Sequence, residues 1–337
     1  MSSGLLAQKC YEGKTQRTTG LMGLRLLLLF LSALLCNLVT AFMRSPARPG
    51  IETTLLARGF GSNEGKDPKL SKDALNCLRE AKGSLEVAQG LYFQSKLQSL
   101  KETNPLMWMT LEAYRPSVKD ESSRKVHEKL VEYTWDTIAA YLPLTTPGNG
   151  AVEEAVSLKL ELIAKAASFQ PNASVMDVGC GNGAIVPYLK RAGADLKSYL
   201  GMDLSSQMID AALSSHPGLA FEKSNFLTWD SPTKKFDTIL FNGVVQFFPS
   251  IQDALLRAAS FLKPGGRLVI SHVNGAEFVR GEKRGNPVTV LTEMPEVAYI
   301  KSLGDEMGAD FIALDEIAPS AKYSMDEMYL CVLKMRG

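Results

Sequence analysis

Two carboxylates and three glycines carry the most legible chemistry in this chain of 337 residues. Asp177 sits inside a short apolar run, and Gly179, Gly181 and Gly183 follow it at alternate positions, with Cys180 between the first two. Asp203 closes a second apolar run downstream. Alternating glycines let a backbone turn sharply and lie close against a ligand. The residues after Gly183 can start a helix, and N–H groups at a helix start favour an electronegative group. A carboxylate such as Asp203 offers acceptor oxygens and no donor, which suits sugar hydroxyls. The constellation reads as a nucleotide-type site of a doubly wound α/β fold.

The elements around it must place the turn and Asp203 at one sheet edge. Residues 175–178 read as the strand feeding the turn, and 198–204 as a second strand ending in Asp203. Residues 205–213 read as a helix, 219–225 as a third strand, 236–242 as a fourth, and 251–262 as a helix. Lys263, Pro264, Gly265 and Gly266 read as a turn, and 267–273 as a fifth strand. Strands alternating with helices imply a parallel sheet with right-handed crossovers. Residues 310–317 and 327–335 read as two further strands with no helix between them, an antiparallel hairpin. The expected fold is α/β: a Rossmann-like seven-stranded mostly parallel sheet with a C-terminal antiparallel hairpin, preceded by an α-helical extension.

The glycines alone do not choose the cofactor. Gly179, Gly181 and Ala184 also satisfy the dinucleotide fingerprint, and Asp203 stands near the spacing of a ribose acid. Three features favour a different nucleotide. Asp177 occupies a slot usually apolar in dinucleotide binders, only one mononucleotide half is present, and the chain ends in a strand pair.

Residues 157–334 resemble class I S-adenosylmethionine-dependent methyltransferases of the small-molecule branch. The resemblance rests on the run from Val175 to Gly183, on Gly201-Met202-Asp203-Leu204-Ser205 with Met208, on Phe236-Asp237-Thr238-Ile239, and on Leu262-Lys263-Pro264-Gly265-Gly266-Arg267-Leu268. It implies S-adenosylmethionine as cofactor. Gly179, Cys180, Gly181 and Gly183 would pass under its amino-acid and ribose end. Asp177 would organise the loop and the methionine ammonium, and Asp203, followed by Leu204, would accept from the ribose hydroxyls. Met208 would pack on adenine, Asn225 and Phe226 would meet the adenine edge in a place where relatives often carry an acid, and Asn242 with Gly243 would border the methionine end. Gln246 and Phe247 stand where related enzymes often carry two histidines. His272, at the end of the fifth strand, is a candidate proton-transfer group or a plain core histidine.

Residues 71–150 show helical spacing with little strand character, opened by the cap-like Ser71. They suit a helical cap on the sheet or a lid over a substrate. In the latter reading the aromatic and Met-rich run 106–115, with Trp108 and Tyr114, lines a pocket; a stripe of this kind also suits plain core. Residues 275–294 are long for a connection, and Arg280, Lys283 and Arg284 there suit an acidic acceptor or a solvated loop. Gln246 and Arg280 complete the candidate substrate residues.

Residues 26–36 are almost wholly apolar, preceded by Lys14, Arg17 and Arg25 and followed by Val39 and Ala41. The run is shorter than a membrane span of about 20 residues, so 1–41 reads as a signal peptide, with translation from Met1 or Met22. Residues 42–63, with one acid among three arginines, have transit-peptide composition. The Ala41-Phe42 junction resembles the bipartite presequence of algae with secondary plastids, which implies plastid delivery through the secretory pathway; secretion is the alternative. The expected division is 1–41, 42–63, a helical extension over 64–150 and the methyltransferase domain over 151–337. A formal net charge of +1 gives no general pull toward nucleic acid. Five scattered cysteines and three scattered histidines suggest neither a disulfide framework nor a metal site. The expected activity is methyl transfer to a small-molecule acceptor at O, N, S or C. C-methylation of a plastid quinone or isoprenoid ring, and a binding protein without turnover, stand as alternatives.

Overall fold

A computed structural model describes residues 70–114, 118, 120–145, 151–170, 172–231 and 233–337. The expected signal and transit segments lie outside the described residues.

Four helices precede the sheet domain. α1 (Lys72–Glu80) starts at Ser71, whose hydroxyl accepts from the Ala74 N–H at 3.2 Å, the cap its sequence suggests. α2 (Leu85–Thr103) is capped by Ser84 and runs straight through Gly90. α3 (Pro105–Ala113) has proline in its first turn, where a missing N–H costs nothing. α4 (Glu121–Ala140) begins five residues before the spacing of its apolar positions suggests, because Asp120 and Ser123 form a reciprocal capping box. The charged residues from Glu121 to Lys125 are therefore helix. Two cores hold these helices. Phe93, Leu97, Leu130 and Trp108 form one, and Ala74, Leu78, Tyr92 and Tyr141 the other. Each fully buried leucine or phenylalanine contributes about 1.5–3 kcal/mol. A short turn of helix, α5 (Leu142–Thr145), and α6 (Ala151–Ala166) lead into the sheet.

The sheet has the strands β1 (Val175–Val178), β2 (Tyr199–Asp203), β3 (Ala220–Lys223), β4 (Phe236–Asn242), β5 (Leu262–His272), β6 (Ala309–Ile312) and β7 (Tyr329–Met335), in the order β3-β2-β1-β4-β5-β7-β6. β1 pairs in parallel with β2 on one side and with β4 on the other. The strand order thus reverses beside β1, which makes its C-terminal end the switch point where α/β sheets bind ligands. β7 pairs antiparallel with both β5 and β6. Side chains alternate between two cores, as a sheet covered on both faces requires. Met176, Val178, Ile239, Phe241, Leu268 and Ile270 face one core, and Val175, Leu240 and Val269 the other. The remaining helices are α7 (Val186–Arg191), α8 (Ser206–Ser215), α9 (Ile251–Phe261), α10 (Gly275–Gly285), α11 (Val297–Met307) and the single turn α12 (Leu314–Ile317).

Three local expectations are corrected. β5 already begins at Leu262, pairing with Phe236, and the register slips between Phe236 and Thr238; the Lys263–Gly266 turn chemistry makes an irregularity inside a strand pair. The antiparallel pair carries α12 between its strands, and β6 ends at Ile312. The long insertion after β5 is α10 over its first half.

Candidate active site

β1 delivers the chain to Gly179, whose N–H, like that of Cys180, donates to the Met202 carbonyl at 2.8 and 3.0 Å. The loop is therefore clamped to the end of β2. Gly179 has φ of 68°, and a Cβ there would stand 2.5 Å from a Val244 methyl carbon. At Gly181, φ is 53° and a Cβ would meet nothing within 4 Å, so this glycine leaves space above the loop. Gly181 and Ser205 each donate an N–H to one oxygen of Asp203, at 3.0 and 2.8 Å. The Leu204 N–H also faces this carboxylate, whose two oxygens keep acceptor capacity for a further donor. Burial pushes the Asp203 carboxyl up to about 6 despite these bonds. Asp177 is 1% exposed; burial pushes it up to about 7, and the Tyr199 hydroxyl donates to it at 2.9 Å.

A cavity of about 320 Å³ opens above this loop, within the usual size of small-molecule sites. Of the expected cofactor residues, Asp177, Gly179, Cys180, Gly181, Asp203, Leu204, Met208, Asn225, Phe226, Asn242 and Gly243 all line it. Gly183 does not; its Cα faces the His216 ring, so it serves the packing of the turn. Asn225 accepts from the Leu227 N–H through Oδ1 at 2.9 Å and hydrogen-bonds Glu128 of α4 through its side chain. An acid thus stands beside Asn225, supplied by the helical extension.

The opposite end of the cavity is built from α4, α10 and the strand ends. His272 and Gln246, both expected, line it, joined by Glu282, His127, Val131, Trp135 and Phe247. The Asn274 N–H donates to His272 Nδ1 at 3.2 Å, so the neutral ring carries its proton on Nε2. Burial first, and Lys159 second, push His272 down to about 4. His272 is therefore neutral near pH 7, with its Nε2–H 4.0 Å from Glu282 Oε2. Burial pushes Glu282 up to about 7. The His127 Nε2–H donates to the Thr289 carbonyl at 2.9 Å, and its desolvation lowers its pKa.

Three expected substrate residues lie elsewhere. Trp108 and Tyr114 sit in the core between α2, α3 and α4, because the apolar face of α3 packs on its helical neighbours and not over the sheet edge. Arg280 pairs at the surface with Glu277 and Asp326. Glu282, two residues on, turns inward from the same helix. Helical periodicity through α10 was the signal that could have found it: Ala276, Val279 and Glu282 share one buried stripe.

No group of three or more His, Cys, Asp or Glu among the described residues could hold a metal ion. No helix among them is long and apolar enough to cross a membrane.

The methyltransferase domain family matches residues 151–300. A ubiquinone biosynthesis O-methyltransferase of Bradyrhizobium sp. (strain ORS 278) is 28% identical over 181 residues, covering 48% of this chain and 70% of that protein. A trans-aconitate 2-methyltransferase of Rhizobium etli is 34% identical over 96 residues, 28% of this chain and 36% of that protein. The crystal structure of magnesium protoporphyrin IX methyltransferase from Synechocystis PCC 6803 with bound SAH is 15% identical, covers 62% of this chain and 99% of its own, and has a TM-score of 0.46. The remaining acceptor capacity of Asp203, the open space over Gly181 and the apolar bed of Leu204, Met208 and Phe226 fit a nucleoside carrying a ribose diol. The chain is an enzyme with a methyltransferase domain at residues 151–300, and its cofactor is S-adenosylmethionine.

Proposed function

We propose that this enzyme moves the methyl group of S-adenosylmethionine onto a small, largely apolar acceptor held beneath α4. The observation that carries this reading is the continuity of the cavity. One space joins the glycine loop and Asp203 to a wall of Val131, Trp135, Ile138, Phe247 and Phe248. The cofactor would supply an activated methyl group on a positively charged sulfur. Asp203 would hold the ribose hydroxyls, Asp177 would face the amino-acid end, and the aromatic wall would exclude water and orient the acceptor. The similarity to a protein named as an O-methyltransferase of ubiquinone biosynthesis supports a ring-bearing acceptor. The same apolar wall also favours a second reading, C-methylation of a plastid quinone or isoprenoid ring.

Incubating the chain from residue 64 with methyl-labelled cofactor and a plastid metabolite extract should yield S-adenosylhomocysteine and a labelled small product. Tight binding of the cofactor with no turnover would leave a binding protein in its place. We also propose plastid delivery through the secretory pathway, on the composition of residues 1–63. A fluorescent fusion of residues 1–63 should enter the plastid, and a fusion found only in the medium would overturn that.

A further inference from the structure

The acceptor end of the cavity holds an unusual pair of groups. Glu282 is 6% exposed, yet its carboxyl has only one hydrogen bond among the described residues, a long one of 3.4 Å from Gln246 Nε2. Gln246 is 1% exposed, and its Oε1 is buried with no hydrogen-bond partner. Buried polar atoms are rarely left in this state unless something else comes to meet them. Beside Glu282, the Nε2–H of His272 is a donor whose tautomer is fixed from behind by the Asn274 N–H. An acceptor and a donor thus stand 4.0 Å apart on one wall. Among the described residues no lysine or arginine lines the cavity, whereas Asp177, Asp203, Glu128 and Glu282 do.

These groups select among acceptor chemistries. An anionic acceptor would meet those carboxyls with no basic side chain among the described lining residues to offset them. An ammonium has only donors and would confront the His272 Nε2–H. A neutral hydroxyl both donates and accepts, so it can satisfy Glu282 and His272 together. We propose that the methyl acceptor is a neutral, acidic hydroxyl, a phenol or enol, and that Glu282 is the catalytic residue that takes its proton. This rests on the methyl-transfer reading above. In the step, the O–H bond breaks and its proton passes to a Glu282 oxygen. The acceptor oxygen bonds the methyl carbon while the methyl–sulfur bond breaks, its electron pair staying on sulfur. The products are the methyl ether, neutral S-adenosylhomocysteine and protonated Glu282, which returns its proton to solvent. His272 donates its Nε2–H to the oxygen as negative charge grows there. A phenol ionises near pH 10, as tyrosine does, and burial has brought Glu282 up toward it, which eases transfer. The other titratable groups on this cavity are His272 on β5, His127 and Glu128 on α4, and Asp177, Cys180 and Asp203 across the loop, with Lys159 of α6 acting on His272.

The test compares 4-butylphenol, 4-butylaniline and 4-butylthiophenol as acceptors for the wild-type chain and for Glu282→Gln. The expected result is methylation of the phenol by wild type, with kcat/KM rising through pH about 7. Glu282→Gln should lose ~100-fold or more on the phenol together with that pH limb. The thiophenol, which ionises unaided, should lose less than the phenol on that substitution. Infrared titration of the chain without acceptor should show a carboxyl band near pH 7 that Asp177→Asn leaves and Glu282→Gln removes. Calorimetry with S-adenosylhomocysteine separates the two readings. If wild type does not bind it, the methyl-transfer reading fails and this one falls with it. If it binds and the phenol is not methylated, or the aniline alone is, or Glu282→Gln matches wild type on the phenol, only the present inference is overturned. Should the variant bind S-adenosylhomocysteine poorly, the wild-type pH profile decides, and a flat profile overturns the assignment.

Discussion

Asp203 and Asp177 are two carboxyls on one loop with different work, set by what donates to them. Asp203 holds two backbone N–H groups and keeps acceptor capacity for a ligand. Replacing it with alanine should weaken S-adenosylhomocysteine binding ~10–100-fold by calorimetry, the equivalent of about 1.5–3 kcal/mol for hydrogen bonds to a charged group. An unchanged affinity would remove Asp203 from the ribose. Asp177 is nearly enclosed and, among the described residues, receives only the Tyr199 hydroxyl. Its pKa is raised in the folded chain to about 7, above the ordinary carboxylate value. Between those two values the folded chain keeps a proton that the unfolded chain has lost, so stability falls as pH rises through the window. Asp177→Asn cannot ionise. Its melting temperature relative to wild type should therefore improve steadily between pH 4 and pH 7, and a gap independent of pH would mean Asp177 titrates normally.

α4 is the element that turns a nucleotide site into a closed one. Its Asp136, 2% exposed, accepts from the Ser205 hydroxyl at 2.6 Å, and that hydroxyl in turn accepts from the Met208 N–H at the start of α8. Lys96 of α2 reaches the other Asp136 oxygen at 3.4 Å. The extension is thereby fastened beside Asp203, because Ser205 is also the residue whose N–H holds that carboxylate. Asp136→Ala strands a buried hydroxyl at a cost of about 1–3 kcal/mol, so melting temperature and cofactor affinity should fall together. Trp108 offers the contrast. It is buried against α2 and α4 but away from the cavity. Trp108→Ala should destabilise by about 3–5 kcal/mol in denaturant titrations while leaving the cofactor dissociation constant of the folded fraction unchanged. A selective loss of acceptor turnover with normal stability would return Trp108 to the pocket.

At the scale of the molecule, the matched domain is smaller than the functional unit. The family match starts at residue 151, yet His127, Glu128, Val131 and Trp135 line the site. A chain starting at residue 151 should bind S-adenosylhomocysteine at least ~10-fold more weakly than one starting at residue 64, since it lacks Asp136 and the wall of α4, each contact with a charged group being worth about that factor. Equal affinity in calorimetry would make the extension dispensable for the cofactor.

The glycine turn, both aspartates and the parallel core were legible from sequence because they are encoded locally. Positive φ at Gly179 and Gly181 demands glycine, and alternating strands and helices impose a parallel sheet. Capping was legible at Ser71 for the same reason. The acceptor end was not. Whether an amphipathic helix turns its apolar face to a cavity or to another helix depends on contacts far apart in the chain, so the sequence left Trp108 and Tyr114 between pocket and core, and the fold packs them in the core. Glu282 stands among the basic residues Arg280, Lys283 and Arg284 and drew no expectation of its own. Only the packing of α10 against the end of β5, which removes its carboxyl from water beside His272, made it a reactive group. The sequence by itself determined the cofactor loop, since backbone geometry there is a property of the residues present. The tertiary structure decided what faces that loop, since burial and proximity belong to the folded whole.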